Sequence, residues 1–372
     1  MTNTAVDLEM RSYLQRIATG PELSKDLSEE EAYRAMTHIL AGSADEVQSA
    51  IFLIALRMKR ETDAENCGAL RALLDSTVQV RCAVVTDILH IADPFDGFVR
   101  GLPAAPFLPA VLAACGIATV SSGARQVGPK YGISHCQVLE AAGAAVGLVP
   151  AEAAVRLDDP TCGWAYVDQR HACPGLHQLV DLRSRIVKRA LLTTLEVLLA
   201  PVLGQQSTHL VTGYVHKPYL PIYAMLARRA GFASAAIVRG VEGGVIASLN
   251  QPSKLLRFTA DRDNEELRLD PALAGITSKV RAVPLPDAVS PASAQSELPD
   301  EDEMRRRALA AAQAGRLALA GAPGPMRDSL IYGAAVCLLH RGVEISLKGA
   351  SATVRSVLDS GLPTARFDAG CH

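Results

Sequence analysis

The segment Gly123-Ala-Arg125-Gln-Val-Gly128-Pro-Lys130 has the outline of a loop that holds phosphate. Two glycines allow backbone N–H groups to approach an anion, and a guanidinium and an ammonium stand beside them. Pro129 interrupts the Gly–Lys pair and no Ser or Thr follows Lys130, so this is not a Walker loop. It reads either as a strand-to-helix phosphate loop or as a plain connection. Arg183, Arg185, Lys188 and Arg189 form the densest cluster of positive charge. If Leu179, Leu182 and Ile186 mark the apolar side of one helix, Arg185, Lys188 and Arg189 share the opposite side, as a solvated flank or as a polyanion contact. His216, Lys217 and Arg239 follow apolar runs that read as strands. Residues that follow the strands of a doubly wound sheet gather at one crevice. Arg125, Lys130, Lys217 and Arg239 are therefore candidates to converge there with the cluster on a phosphate-bearing ligand.

Metal chemistry has weaker candidates. Asp93-Pro-Phe-Asp96-Gly97 offers two carboxylates to a hard cation, although Asp-Pro and Asp-Gly are turn steps first. His171, Cys173 and His177 lack the fourth ligand of a closed tetrahedral site, and a loop-to-helix junction fits them better.

These residues need elements to position them. The first eighty residues are helical in pattern, with hydroxyl–Glu capping boxes at Ser28/Glu31, Ser43/Glu46 and Thr62/Glu65. The middle helix carries Val47, Ala50, Ile51, Ile54, Ala55 and Met58 as an apolar stripe, and such a lobe could dimerise. From Cys82 onward strands and helices alternate. Ala83–Ala92, Ile117–Ser121, His209–Thr212 and Ala235–Arg239 read as strands. Pro106–Cys115, Val138–Ala145, Pro218–Ala230, Met304–Ala318 and Ser329–Leu339 read as helices. This alternation predicts a parallel α/β lobe. Residues 284–303, rich in Pro, Ser and acids, predict a flexible loop.

At 372 residues two lobes are expected. The 37 Lys plus Arg against 39 Asp plus Glu give a net charge of -2, so any polyanion site must be a local cluster. Eight of the basic residues are Lys and 29 are Arg, the side chain suited to forked phosphate contacts. Aromatics are 4%, which leaves few stacking platforms for unpaired bases. The eight Cys form no CxxC pair and read as small buried hydrophobes or free thiols. Met1–Gly20 carries Asp7, Glu9, Arg11 and Arg16 without a signal-type apolar core, so a cytoplasmic location is expected. The uncharged run between Arg100 and Arg125 is broken by Pro103, Pro106 and Pro109, so no membrane span or membrane partner is expected.

At Ile51-Phe-Leu-Ile-Ala-Leu-Arg57-Met-Lys-Arg-Glu61-Thr62 the chain resembles the helix signature FLMALRxKGET of the anthranilate phosphoribosyltransferase family, glycosyltransferase family 3. Cys115–Arg125 resembles its CGLKVAKHGNR, and Cys173-Pro174 to Arg189 its HPAMKxVxxVRxxLGxRTxFN. Val238-Arg-Gly-Val-Glu242-Gly243 resembles its VHGxDG. The resemblance covers nearly the whole chain. It implies a phosphoribosyltransferase-like α/β fold, with a helical N-terminal lobe over 1–78, a returning helical segment near 174–198, and an α/β lobe over 79–372. It also implies a homodimer through the helical lobe and a phosphoribosyl diphosphate cleft between the lobes.

The family's catalytic motifs are replaced. GTGGD becomes Ile91-Ala-Asp93-Pro-Phe95, NIST becomes Leu102-Pro-Ala-Ala105, and KHGNR becomes Ser121-Ser-Gly123-Ala-Arg125. The acid pair that binds magnesium in DGLDE falls on Val245 and Ile246, which cannot ligate a hard cation. Arg183 aligns with an arginine that contacts anthranilate, while the neighbouring His is Cys173. In this the chain is similar to the diverged YbiB-type branch, which keeps the fold and binds nucleic acid. The expectation is a protein without anthranilate phosphoribosyltransferase activity and without a cofactor. Its basic interlobe cleft, with Gly123, Arg125, Lys130, Arg183, Arg185, Lys188, Arg189, Lys217 and Arg239, binds nucleic acid or another phosphate-bearing ligand. The alternatives are a phosphoribosyl or glycosyl transferase with Mg2+ on a rebuilt Asp93/Asp96 site, and a sensor of a small nucleotide or metabolite.

Overall fold

A computed structural model of the chain describes residues 4–20, 22–259, 262–286 and 300–371. Four helices open it: α1 (Thr4–Ile17), α2 (Glu29–Leu40), α3 (Glu46–Lys59) and α4 (Asp63–Asp75). Reciprocal capping boxes start α2 at Ser28/Glu31 and α4 at Thr62/Glu65. The Ser43 box does not form. Asp45 caps α3 instead, accepting the N–H groups of Val47 and Gln48, because a carboxylate at the N-terminus also meets the helix dipole. The expected stripe on α3 is corrected as well. Phe52, Leu53, Ala55 and Leu56 are buried, whereas Val47, Ile51 and Met58 are 66%, 40% and 75% exposed. The bulkier of two competing apolar faces takes the core.

Among the described residues nine strands follow: β1 (Val80–Arg81), β2 (Asp87–Ala92), β3 (Thr119–Gly123), β4 (Trp164–Asp168), β5 (Val202–Leu203), β6 (Ser207–Gly213), β7 (Ser234–Val238), β8 (Ser253–Thr259) and β9 (Arg262–Leu269). β1 and β5 form a small parallel pair. The others make one sheet in the order β4-β3-β2-β6-β7-β8-β9, parallel as far as β7 and antiparallel beyond. Strand order reverses between β2 and β6, which creates the switch-point crevice at their carboxyl ends. The β-like run from Ala83 is shorter than expected. Asp158 accepts the N–H groups of Ala83, Val84 and Val85 at 2.6, 2.9 and 2.7 Å, which removes them from strand pairing.

The intervening helices are α5 (Leu108–Ala114), α6 (His135–Ala141), α7 (Pro150–Asp158), α8 (Gln169–Ala172), α9 (Pro174–His177), α10 (Val180–Ile186), α11 (Leu192–Leu195) and α12 (Tyr219–Arg229). The chain closes with α13 (Glu301–Leu319), α14 (Pro325–His340), α15 (Leu347–Asp359) and α16 (Leu362–Ala369). One core joins α5, α6 and α13 to α16 to one face of the sheet. A second runs from α1–α4 through α9–α12 to the other face. Of the expected loop at 284–303, residues 287–299 lie outside the described residues. Its end belongs to α13, where Glu301, Asp302 and Glu303 form an acidic first turn behind the Asp300 cap. Among the described residues no helix is long and apolar enough to cross a membrane. All eight cysteines are free and six are buried.

Besides His135, three of the described histidines are built into the interior. His90 bonds Ser122 Oγ at 2.8 Å, while His209 and His340 share Ser234 Oγ at 2.7 and 3.0 Å. Burial pushes His90 and His209 down to about 4 and His340 to about 3. All three are thus neutral when folded at neutral pH, and the unfolded chain binds more protons between pH ~6.5 and ~4. Their stabilising contribution is full above pH ~6.5 and is lost as pH falls through that window, at up to ~1.4 kcal/mol per pH unit for each histidine. Urea unfolding at pH 7.5, 6 and 5 should show a progressive loss; a flat profile would contradict the buried neutral state.

Candidate phosphate-binding cleft

The loops after β2, β3, β6 and β7 meet at the carboxyl end of the sheet. Two of them touch through glycine: a Cβ on Gly97 or Gly132 would overlap the backbone of the other loop, and Gly97 has a φ of +73°. This approach fixes Phe98 against Ile133 by reciprocal backbone bonds of 3.0 and 2.8 Å. Into the junction reaches Lys130. Its Nζ donates to the Gly97 carbonyl, lies 3.0 Å from Glu242 Oε2, and sits 5.4 Å from the Phe98 ring centre. Glu242 also accepts the N–H groups of Val99 and Arg100 at 3.1 and 2.9 Å. Its backbone is left-handed, with a φ of +54°, a conformation costing roughly 1–2 kcal/mol in an L-residue and held here by those contacts. Both side chains are almost fully buried.

The other acids are equally engaged. Asp93 bonds His135 Nε2 at 2.8 Å through Oδ2 and accepts the Val245 N–H at 2.7 Å through Oδ1. Asp96 Oδ2 holds Arg189 Nε and Nη2 at 2.9 and 2.8 Å. The expected cation role of Asp93 and Asp96 is therefore corrected: both are 2–3% exposed and point at protein donors. Magnesium does not fit the position the resemblance implies, because Val245 is buried there and beside it Ile246 joins Phe98 and residues 101–105 in lining a cavity of about 40 Å3. That volume admits roughly one to three waters and no sugar diphosphate. Among the described residues no three His, Cys, Asp or Glu side chains converge to hold a metal. His171, Cys173 and His177 mark the junction of α8 and α9, with the Cys173 thiol raised by burial.

The basic residues divide into spent and free. Arg183 is buried, not on the surface: its fork meets both oxygens of Glu196 at 2.6 and 2.9 Å, and Gln169 bonds the same carboxylate at 3.3 Å. The residue aligned with the anthranilate-contacting arginine is thus satisfied internally. The helix carrying Arg183 and Arg185 stops at Ile186 because Val187 turns left-handed, so Lys188 and Arg189 do not continue its face. Arg185 pairs with Glu46 on α3 and with Asp181 at 3.1 Å. Arg125 pairs with Glu140 on α6 at 2.7 Å, away from the crevice. Gly123 ends β3 in the interior, where a side chain would press on Tyr166. Of the cations singled out in the sequence, Lys188, Lys217 and Arg239 have exposed side chains free of hydrogen bonds or ion pairs among the described residues. Arg239 follows β7 directly, and Lys217 lies in the loop after β6.

Two functional positions escape sequence reasoning. Glu196 is a lone acid inside the apolar run 191–200, and that isolation was the available signal, since a buried carboxylate demands a partner. The clamp role of Glu242 has no sequence signal, because its donors lie more than a hundred residues away.

The helical bundle domain of the glycosyl transferase family matches residues 11–77, and that family's a/b domain matches residues 106–364. The chain belongs to glycosyltransferase family 3. It is similar to the anthranilate phosphoribosyltransferases of Sphingopyxis alaskensis, at 26% identity over 95% of this chain and 97% of that one, and Symbiobacterium thermophilum, at 28% over 95% and 94%. An uncharacterised protein of Aquifex aeolicus matches at 27% over 65% of this chain and 72% of its own. The fold is that of anthranilate phosphoribosyltransferase from Thermus thermophilus, with a TM-score of 0.71 at 20% identity over 98% of both chains. The Saccharomyces cerevisiae enzyme in complex with PRPP and Mg gives 0.73 at 16% over 97% and 96%.

The Lys130–Glu242 pair sets a prediction for this family member. Lys130→Met leaves a buried carboxylate short of its cation and should cost ~3–5 kcal/mol in urea unfolding, with Lys130→Met/Glu242→Gln recovering part of the loss. A cost for Lys130→Met under ~1 kcal/mol, as for an exposed pair, would show that the loops are held otherwise.

Proposed function

We propose that the chain is a diverged member of its family without anthranilate phosphoribosyltransferase activity, and that the rim of its closed cleft binds phosphate-bearing ligands, nucleic acid first among them. One observation carries the reading. The interior cations and acids of the cleft neutralise one another, while Lys188, Lys217 and Arg239 stand exposed at its rim without partners. Phosphoribosyl transfer needs a metal to neutralise the diphosphate leaving group. Val245 and Ile246 offer none, and Asp93 and Asp96 are already engaged, so the rebuilt transferase has no support from the site. Nucleic-acid binding through a basic surface, without the transferase motifs, is what the resemblance to the YbiB-type branch implies.

The exposed face of α3, with Val47, Ile51 and Met58, and Leu8 on α1 at 60% exposure, supports a second copy of the chain as the partner of the helical lobe. Dimerisation would double the three free cations and raise avidity for a polymer.

Fluorescence anisotropy with a labelled single-stranded oligonucleotide tests this. Three cations predict a slope of log K against log salt of about −2 per protomer, on the order of 0.7 per phosphate contact. Lys188→Ala/Lys217→Ala/Arg239→Ala should weaken binding at least tenfold and flatten the slope. An absence of binding at low salt, or binding indifferent to the triple variant, would refute the rim as the site.

A further inference from the structure

A second pocket, of about 650 Å3, opens at the other end of the sheet, where the amino ends of β6 and β7 meet the β8–β9 hairpin and the last turn of α14. His209, Ser234, Arg257, Phe258, His340 and Arg341 are among the residues that line it. Its floor is a chain of hydrogen bonds whose direction follows from donor counting. The Asp87 carboxylate accepts, so Ser207 donates to it. With that proton committed, Ser207 Oγ accepts from His209 Nε2–H at 2.7 Å. The neutral His209 ring then has Nδ1 as acceptor and takes the Ser234 hydroxyl proton at 2.7 Å, and Ser234 Oγ in turn accepts from His340 Nε2–H at 3.0 Å. This leaves the lone pair of His340 Nδ1 buried and without a partner.

Beside this floor lies Arg341. Its guanidinium makes no hydrogen bond or ion pair with any described residue, and burial lowers its affinity for its proton. Arg257 differs, since its Nε is taken by Glu265 at 2.8 Å. Of the other acids near the pocket, Glu344 accepts from Thr353 at 2.6 Å, Asp87 from Ser207, and Asp263 is exposed at the rim. Asp87 is the carboxylate whose charge reaches Arg341, but no described acid pairs with it directly, so this half-buried cation leaves room for a closer anion. Phe258 and Leu339 give the pocket an apolar side for a ligand body.

We propose that this pocket is a second ligand site, separate from the cleft, for a small oxyanion, a carboxylate or a phosphate, seated on Arg341 against the His209–Ser234–His340 floor. An anion placed there favours protonation of His340 at its free Nδ1. Arg341 and Arg257 oppose that charge, while Asp87 favours it at His209. Binding therefore raises the proton affinity of His340 and tightens as pH falls toward the range in which that ring titrates.

The test uses the full chain with 15N-labelled histidine. Long-range 15N–1H spectra at pH 7 are recorded during separate titrations with inorganic phosphate and with acetate at constant ionic strength. The expected result is a saturable shift of the His340 and His209 ring signals with at least one anion, and the tighter one names the ligand chemistry. Arg341→Gln should weaken it about tenfold or more, the loss of one charge-assisted bond, while Arg341→Lys retains part of it. The His90 ring signals, set by Ser122 elsewhere in the sheet, report that each variant is folded. A failure of both anions to saturate at tens of millimolar, or an equal response in folded Arg341→Gln, would overturn the proposal.

Discussion

The Lys130 ammonium joins loops from three strands. It rises from the loop after β3, donates to the backbone of the loop after β2, and pairs with Glu242 in the loop after β7. Glu242 closes the arrangement by accepting two further N–H groups from the β2 loop. The inward charges are then met by protein groups beside a cavity with room for only a few waters, where an unpaired charge would be unfavourable. The rest of the cleft follows from this closure. Gly97 and Gly132 are needed because the loops are drawn within backbone contact, and Phe98 covers the ion pair.

The same accounting separates the fold from its inherited chemistry. A crevice at the switch point of a parallel sheet is a place for a ligand, and the architecture supplies it whether or not the residues there remain competent. Here Asp93 fastens the β7 loop through the Val245 N–H, Asp96 fastens the segment after α10 through Arg189, and Glu196 occupies Arg183. Each acid fastens the position of the element it holds. On the proposed reading, polyanion contacts fall where the chain leaves cations in solvent, because a near-neutral chain has no broad positive field.

Much of this was legible in the residues. The period change at Cys82, the capping boxes at Ser28 and Thr62, and the helix signature at 51–62 announce a helical lobe followed by a parallel sheet. Val245 and Ile246 stand where the resemblance implies an acid pair, and neither can ligate a hard cation. What stayed hidden depends on contacts distant in sequence. Arg183 reads as a surface cation until Glu196 is seen against it, and the end of its helix turns on one left-handed valine. On α3 two apolar stripes compete, and only packing against α1 and the returning helices decides that Phe52 and Leu53 go inward. The β8–β9 hairpin is polar on its open side and lacks the unbroken apolar run that marks a parallel strand.

The central claim is that the interior of the cleft is closed by its own charges and apolar side chains and has no place for a metal-bound sugar diphosphate. Calorimetric titration of the full chain with phosphoribosyl diphosphate, in the presence and absence of Mg2+, tests it most directly. The account predicts no saturable magnesium-dependent binding, with at most weak, salt-sensitive association at the rim. Stoichiometric binding that requires Mg2+ and survives physiological salt would contradict it.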